Sequence, residues 1–271
     1  MTTLAHPPSA TDRTPARPGS PPSIRQERRL LHYLGQSITI QLRDWAFLGF
    51  VIVMPTSVYL FFVTIYGGQS SGQEVAAFMM VMMGAYGGLG AAMNAGSQIQ
   101  SERSSGWFRQ LMLTSLTPTQ FVLAKILTAV AVVVPAISAV FIAGAACGVR
   151  LDAGVWAASL ALMVGALLPM VVLGLVIGLW FKPQTATAVT TFAMLALAML
   201  GGLWFPLDLM PAAMQTIGRL LPSYWVSQIG SWPLTGGAFP WTGVAVLVGW
   251  LVALAALGAL GYGHSVRTSR R

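Results

Sequence analysis

The sequence predicts an all-α membrane protein with six transmembrane helices, an N-terminal interfacial amphipathic helix and a re-entrant outer hairpin before the last span. Three observations carry that prediction. Only 8% of the 271 residues are charged and 55% are hydrophobic, whereas a soluble domain carries roughly 25% charged residues. Several uncharged apolar runs exceed the length of about 18 residues that a membrane crossing needs. Finally, the basic residues fall almost entirely on one side of the alternating topology that those runs define.

Residues 1–23 are rich in Pro, Ser, Thr and Ala and have little to bury, so a disordered cytoplasmic tail is expected. The apolar core of a secretory signal is missing from them. From 24 to 44, Ile24, Leu30, Leu31, Leu34, Ile38 and Leu42 recur at helical spacing among Arg25, Arg28, Arg29 and Arg43. That is the pattern of a basic helix lying in the interface; a plain cytosolic extension of the first span is the alternative.

The first span is expected over Trp45–Tyr66, kinked at Pro55, and the second over Val75–Gln98. Gly84 and Gly88 in the second make a small-residue pair, suited either to close helix approach or to flexing. A third span over Phe121–Val149 contains Pro135. A fourth, over Val155–Phe181, contains Pro169 and the Gly174/Gly178 pair. Lys182-Pro183 then turns the chain into a fifth span, begun near Thr185 and bearing Thr187, Thr190 and Thr191. Past it, Gly201, Gly202, Pro206, Pro211 and Pro222 break regular helix. Irregular backbone at membrane depth survives only inside protein or along a cavity. Residues 201–222 therefore read as a re-entrant hairpin, or alternatively as an external loop with an interfacial helix. Trp225, Trp232, Phe239 and Trp241 suit a membrane boundary, and a sixth span covers Trp241–Tyr262.

With both termini inside, only Arg150 and Arg219 of the fifteen Lys and Arg lie outside. The basic excess, net +8 with a pI near 10.4, is thus an orientation signal and no nucleic-acid surface. The single cysteine, Cys147, is expected to be a small buried apolar residue. Lys125, at a span's edge, is expected to snorkel to the headgroups. Catalytic and metal-ligating patterns are missing: His6, His32 and His264 lie far from any carboxylate pair, and no acid sits within a span. A P-loop requires G-x-x-x-x-G-K-[ST], but Lys125 follows Ala124 and Lys182 follows Phe181. If ATP drives this protein, another chain binds it, and this chain carries no cofactor.

Between the second and third spans lies the amphipathic run Ser101–Lys125, with Trp107, Phe108, Leu111 and Met112 on one helical face and Glu102, Arg103 and Arg109 around it. Two motifs resemble the permease subunits of type-2 ATP-binding cassette exporters. One is Glu102-Arg103-x-x-Gly106, with Leu111, Leu116-Thr117-Pro118 and Lys125. The other is Gly201-Gly202-x-x-Phe205-Pro206, with Met210-Pro211 and Leu221-Pro222. The resemblance covers about residues 24–265, leaving 266–271 as a basic cytoplasmic tail. It implies a multi-pass protein of the cell (inner or plasma) membrane that forms half of a translocation path. The other half is a second permease subunit, identical or a sibling, and a separate ATPase subunit carries ATP and Mg. Glu102, Arg103, Gly106, Trp107, Phe108, Arg109 and Leu111 would couple to that ATPase. The alternative for them is a surface helix on lipid headgroups. Gly201, Gly202, Phe205, Pro206, Met210, Pro211 and Pro222 would form the outer hairpin. Met- and aromatic-rich spans suit hydrophobic cargo such as drug- or antibiotic-like molecules. A lipid-linked glycan exporter, or a non-transporting assembly or immunity subunit, are the alternatives.

Overall fold

The computed structural model describes residues 35, 38, 39, 41, 43–66, 72–100 and 118–268. All regular structure among them is helical: α1 (Trp45–Tyr66), α2 (Gly72–Ser97), α3 (Pro118–Ala146), α4 (Ala153–Ala166), α5 (Leu168–Trp180), α6 (Pro183–Leu200), α7 (Ala212–Leu220), α8 (Pro222–Thr235) and α9 (Trp241–Thr268). Among the described residues, six stretches are long and apolar enough to cross a bilayer, with α4 and α5 together making one of them. The expected helix over 24–44 lies largely outside the described residues, as does the whole run 101–117.

The bundle is built around α2. Eighty-three per cent of its spanning stretch is buried, against 17% for α1 and for α9, so α2 is the axis and the other two lie at the periphery. Its sequence explains this. Met80, Met82, Met83, Ala85, Leu89, Ala91, Ala92 and Met93 are apolar on every side and all are buried, as a helix enclosed all round requires. Alanines and glycines let neighbours approach, and flexible methionines fill the irregular gaps left between them. Helices α1, α3, α5 and α8 all pack against it.

The small-residue pairs separate into two kinds of contact. A Cβ on Gly174 would lie 2.9 Å from the Met93 carbonyl carbon, and one on Gly96 would lie 2.7 Å from the Leu175 nitrogen. A Cβ on Gly178 would meet Ile99 Cγ2 at 2.6 Å. The backbones of α2 and α5 thus touch along a glycine seam. Gly84 and Gly88 instead admit side chains: Met163, Phe141 and Ile137 crowd the first, and Leu167 and Ile137 the second. Both pairs are packed surfaces, as close helix approach requires.

The fourth span falls where expected, over Ala153–Trp180, and its helix is interrupted at Leu167, where α4 ends and α5 begins. Pro169 has no N–H to give the Gly165 carbonyl and its ring crowds that carbonyl. Two expectations are corrected. Lys125 does not snorkel outward but is 2% exposed; it lies seven residues inside α3, which begins earlier than expected, at Pro118. Cys147 is exposed, because α3 ends at Ala146 and the chain turns through Gly148 with φ +93°.

Candidate functional site

Of the two segments singled out in the sequence, Glu102, Arg103, Gly106, Trp107, Phe108, Arg109 and Leu111 lie outside the described residues. The second segment, between α6 and α8, lies wholly within the described residues.

Helix α6 ends in a Schellman turn. Gly202 adopts φ +73°, Leu203 N–H reaches back to Ala198 O at 2.9 Å, and Gly202 N–H to Met199 O at 3.3 Å. Only glycine enters that left-handed region without cost. Gly201 is needed for space: a Cβ there would collide with Ser223 Oγ and would meet Leu197 O at 2.5 Å. Ser223 Oγ–H donates to Leu197 O at 2.7 Å. This bond ties the start of α8 to the end of α6 and brings Pro222, at the first turn of α8, beside Gly201.

The chain then splays its side chains. Trp204 packs edge-on against Tyr86 of α2, with centroids 5.6 Å apart, while Phe205 faces Phe62 of α1 at 6.2 Å. Pro206 opens a single 3-10 turn over Leu207–Leu209. Met210 and Pro211 are extended and lead into α7. Gln215 Nε2 closes the loop by donating to Met210 O at 2.9 Å and to Asp208 O at 3.3 Å. Gly218 of α7 lies against Leu200 O and Leu207, where a Cβ would lie 2.6 Å from that oxygen.

The far end of α7 is held by two indoles. Trp225 Nε1–H donates to Arg219 O at 2.8 Å, and Trp250 Nε1–H donates to Leu220 O at 2.9 Å. Helix ends leave carbonyls without partners, and these two donors supply them. Trp250 is nine residues into α9, about 14 Å along its axis at 1.5 Å per residue. The tip between α7 and α8 therefore lies well down the side of α9.

Residues 222–235, noted in the sequence only for the boundary aromatics Trp225 and Trp232, form the helix α8. Ser223, Val226, Ser227, Ile229, Gly230 and Ser231 are buried on one side, against α4 and α2. Pro222 at the helix start and small residues recurring at 223, 227 and 231 are the signals that could have found it. The indole pattern distracts from them: Trp232 does stack on Phe239, and Phe239 on Trp241, at 5.0 and 4.9 Å. Sequence reasoning also missed Ser223, Gln215, Gly218 and Trp250, whose roles depend on partners distant in the chain.

Among the described residues, six stretches of apolar helix long enough to cross a bilayer define a multi-pass membrane protein. A family model described as ABC-2 type transporter matches residues 29–234, and a relative from Bacillus subtilis (strain 168), named "Putative transport permease YvfS", is 31% identical over 216 residues, spanning 78% of this chain and 87% of that protein. The chain belongs to the ABC-2 type transporter family and is a transport permease subunit rather than an enzyme.

Proposed function

We propose that this chain is the membrane half of an ATP-driven exporter, paired with a second permease subunit and driven by a separate ATPase. The observation that carries the reading is the family match over a sequence with no phosphate-cradling P-loop of its own. The energy source then has to sit on another chain, with ATP and Mg bound there. Glu102, Arg103 and Arg109 meet that ATPase through charge, and Trp107, Phe108 and Leu111 seat in its groove, as buried apolar anchors do at interfaces. Both termini and the 101–117 run face the cytoplasm of the cell in which this inner or plasma membrane protein resides.

The exposed face of α6 supports a path between two subunits. Phe192, Leu195 and Met199 are exposed there, with Thr187 and Thr191 on the same side. Thr187 turns its hydroxyl back to Pro183 O at 3.2 Å, which keeps the face compatible with apolar surroundings. Such a face favours hydrophobic, drug- or antibiotic-like cargo. The hairpin α7–α8 is read as re-entrant from the outer side, its tip at the depth of Trp250.

The test is reconstitution with the co-purifying ATPase in liposomes. Hydrophobic drug-like compounds should stimulate ATP hydrolysis and accumulate across the bilayer. Glu102→Lys should abolish that transport while leaving membrane insertion intact. Unchanged export by this variant would sink the coupling role, and stimulation by lipid-linked saccharides instead of drugs would replace the cargo.

A further inference from the structure

Where α2 begins, α3 hands over to α4 and α8 ends, an open cleft of about 460 Å³ is lined by Glu74, Phe78, Val149, Arg150, Leu151 and Leu234 among others, with Glu74 and Arg150 exposed at its mouth. A second hollow of about 330 Å³ shares Arg150, Leu151 and Leu234 and adds Asp152. Among the described residues, Arg150, Glu74 and Asp152 make no ion pair with one another. A cation and an anion thus line one cavity without neutralising each other.

The wall that carries Arg150 is fixed from both sides. Gln73 Nε2–H, from α2, donates to Gly148 O at 3.1 Å. Trp156 Nε1–H, from α4, donates to Leu151 O at 3.1 Å, and its ring stacks edge-on against Phe141 at 5.3 Å. Two tethers on a short turn hold the guanidinium's base in place. The spanning stretches of α2 and α3 end at Gln73 and Ala146, so the cavity lies at the level where the helices leave the apolar layer. Phe78, Val149 and Leu234 give it an apolar floor.

We propose that this cavity binds a zwitterionic phosphoethanolamine headgroup, its phosphate on Arg150 and its ammonium on Glu74, with the glycerol and first acyl carbons along Phe78 and Leu234. An arginine fork matches phosphate oxygens, a carboxylate matches a primary ammonium, and the floor matches the start of a lipid tail. Glu74 is the ammonium partner rather than Asp152 because it lines the larger cavity, which also carries the apolar floor. The same chemistry occurs in a bilayer lipid and in free phosphoethanolamine, which the experiment separates.

The full chain is purified in detergent and offered phosphatidylethanolamine or phosphatidylglycerol with identical acyl chains, and the bound lipid is counted by native mass spectrometry. The chain should retain the ethanolamine lipid over the glycerol lipid by about tenfold or more, the effect of one charge-assisted hydrogen bond. Glu74→Gln should erase the preference, Arg150→Gln should weaken retention of both lipids, Asp152→Asn should preserve the preference, and Glu74→Lys should turn it toward phosphatidylglycerol, which a merely structural role would not do. Displacement by soluble phosphoethanolamine supports a free zwitterion as occupant; resistance to it supports the anchored lipid. Equal retention of the two lipids by the unaltered chain, or a preference surviving Glu74→Gln, overturns the proposal.

Discussion

The glycine seam between α2 and α5 offers the sharpest test of how this bundle is held together. Gly174→Ala would put a methyl carbon 2.9 Å from the Met93 carbonyl carbon and closer still to its oxygen. Ordinary van der Waals contact for such a carbon begins at 3.4 Å. Since the obstacle is backbone of another helix and no flexible side chain, α5 has to move away from α2 by at least half an ångström. Overpacking of this kind costs about 1–3 kcal/mol, and here it acts against the most enclosed helix in the molecule. The helix propensity of alanine works the other way by about 0.5–1 kcal/mol. Gly249→Ala in α9, with nothing within 4 Å of the added carbon, isolates that favourable part. Thermal unfolding of the purified chain in one detergent should put Gly174→Ala below the parent and Gly249→Ala at or above it. At about 2–4 °C per kcal/mol for a chain of this size, the two variants should be separated by several degrees. Gly96→Ala, on the other side of the seam, should behave like Gly174→Ala. Equal midpoints for Gly174→Ala and Gly249→Ala would refute the close backbone approach and the packing argument built on it.

Three further outcomes are expected. Trp250→Phe and Trp225→Phe each remove an indole donor from the last carbonyls of α7, at about 0.5–1.5 kcal/mol, and should speed amide exchange within 212–220 without changing the rest of the bundle. Gly202→Val forces a branched side chain into φ +73°, at about 1–2 kcal/mol, and should lower the unfolding midpoint more than Gly202→Asn, which tolerates that region. Cys147 is the single cysteine and is exposed, so a membrane-impermeant maleimide should label it in intact cells. Ser104→Cys in a Cys147→Ser background should label only after the membrane is opened; the reverse pattern would invert the topology.

Much of the architecture is legible in the sequence. The first span was placed at Trp45–Tyr66 and forms α1 over the same residues. Apolar runs of membrane length leave the backbone no choice but helix, since lipid offers no partner for its N–H and C=O groups. Gly201-Gly202 announced the end of α6 for an equally local reason: the left-handed turn there is a property of glycine itself. The run 101–117 stood out because it is polar between two apolar spans, a pattern needing no tertiary knowledge.

What the chain could not disclose alone was who touches whom. Pro169 is visible in the sequence, but whether it kinks a span or divides it depends on how α4 and α5 are supported by their neighbours. Lys125 is buried and Cys147 exposed because α3 is shifted toward its N-terminus, a matter of a few residues at a helix boundary that local composition does not fix. Helix α8 escaped notice since its serines and glycine look like loop until α4 and α2 close over them. Composition and period decide that a segment is helical and apolar; which of its faces meets another backbone, and whether a buried serine finds Leu197 O, are settled only when distant segments are brought together, because each such bond has half of its chemistry elsewhere in the chain.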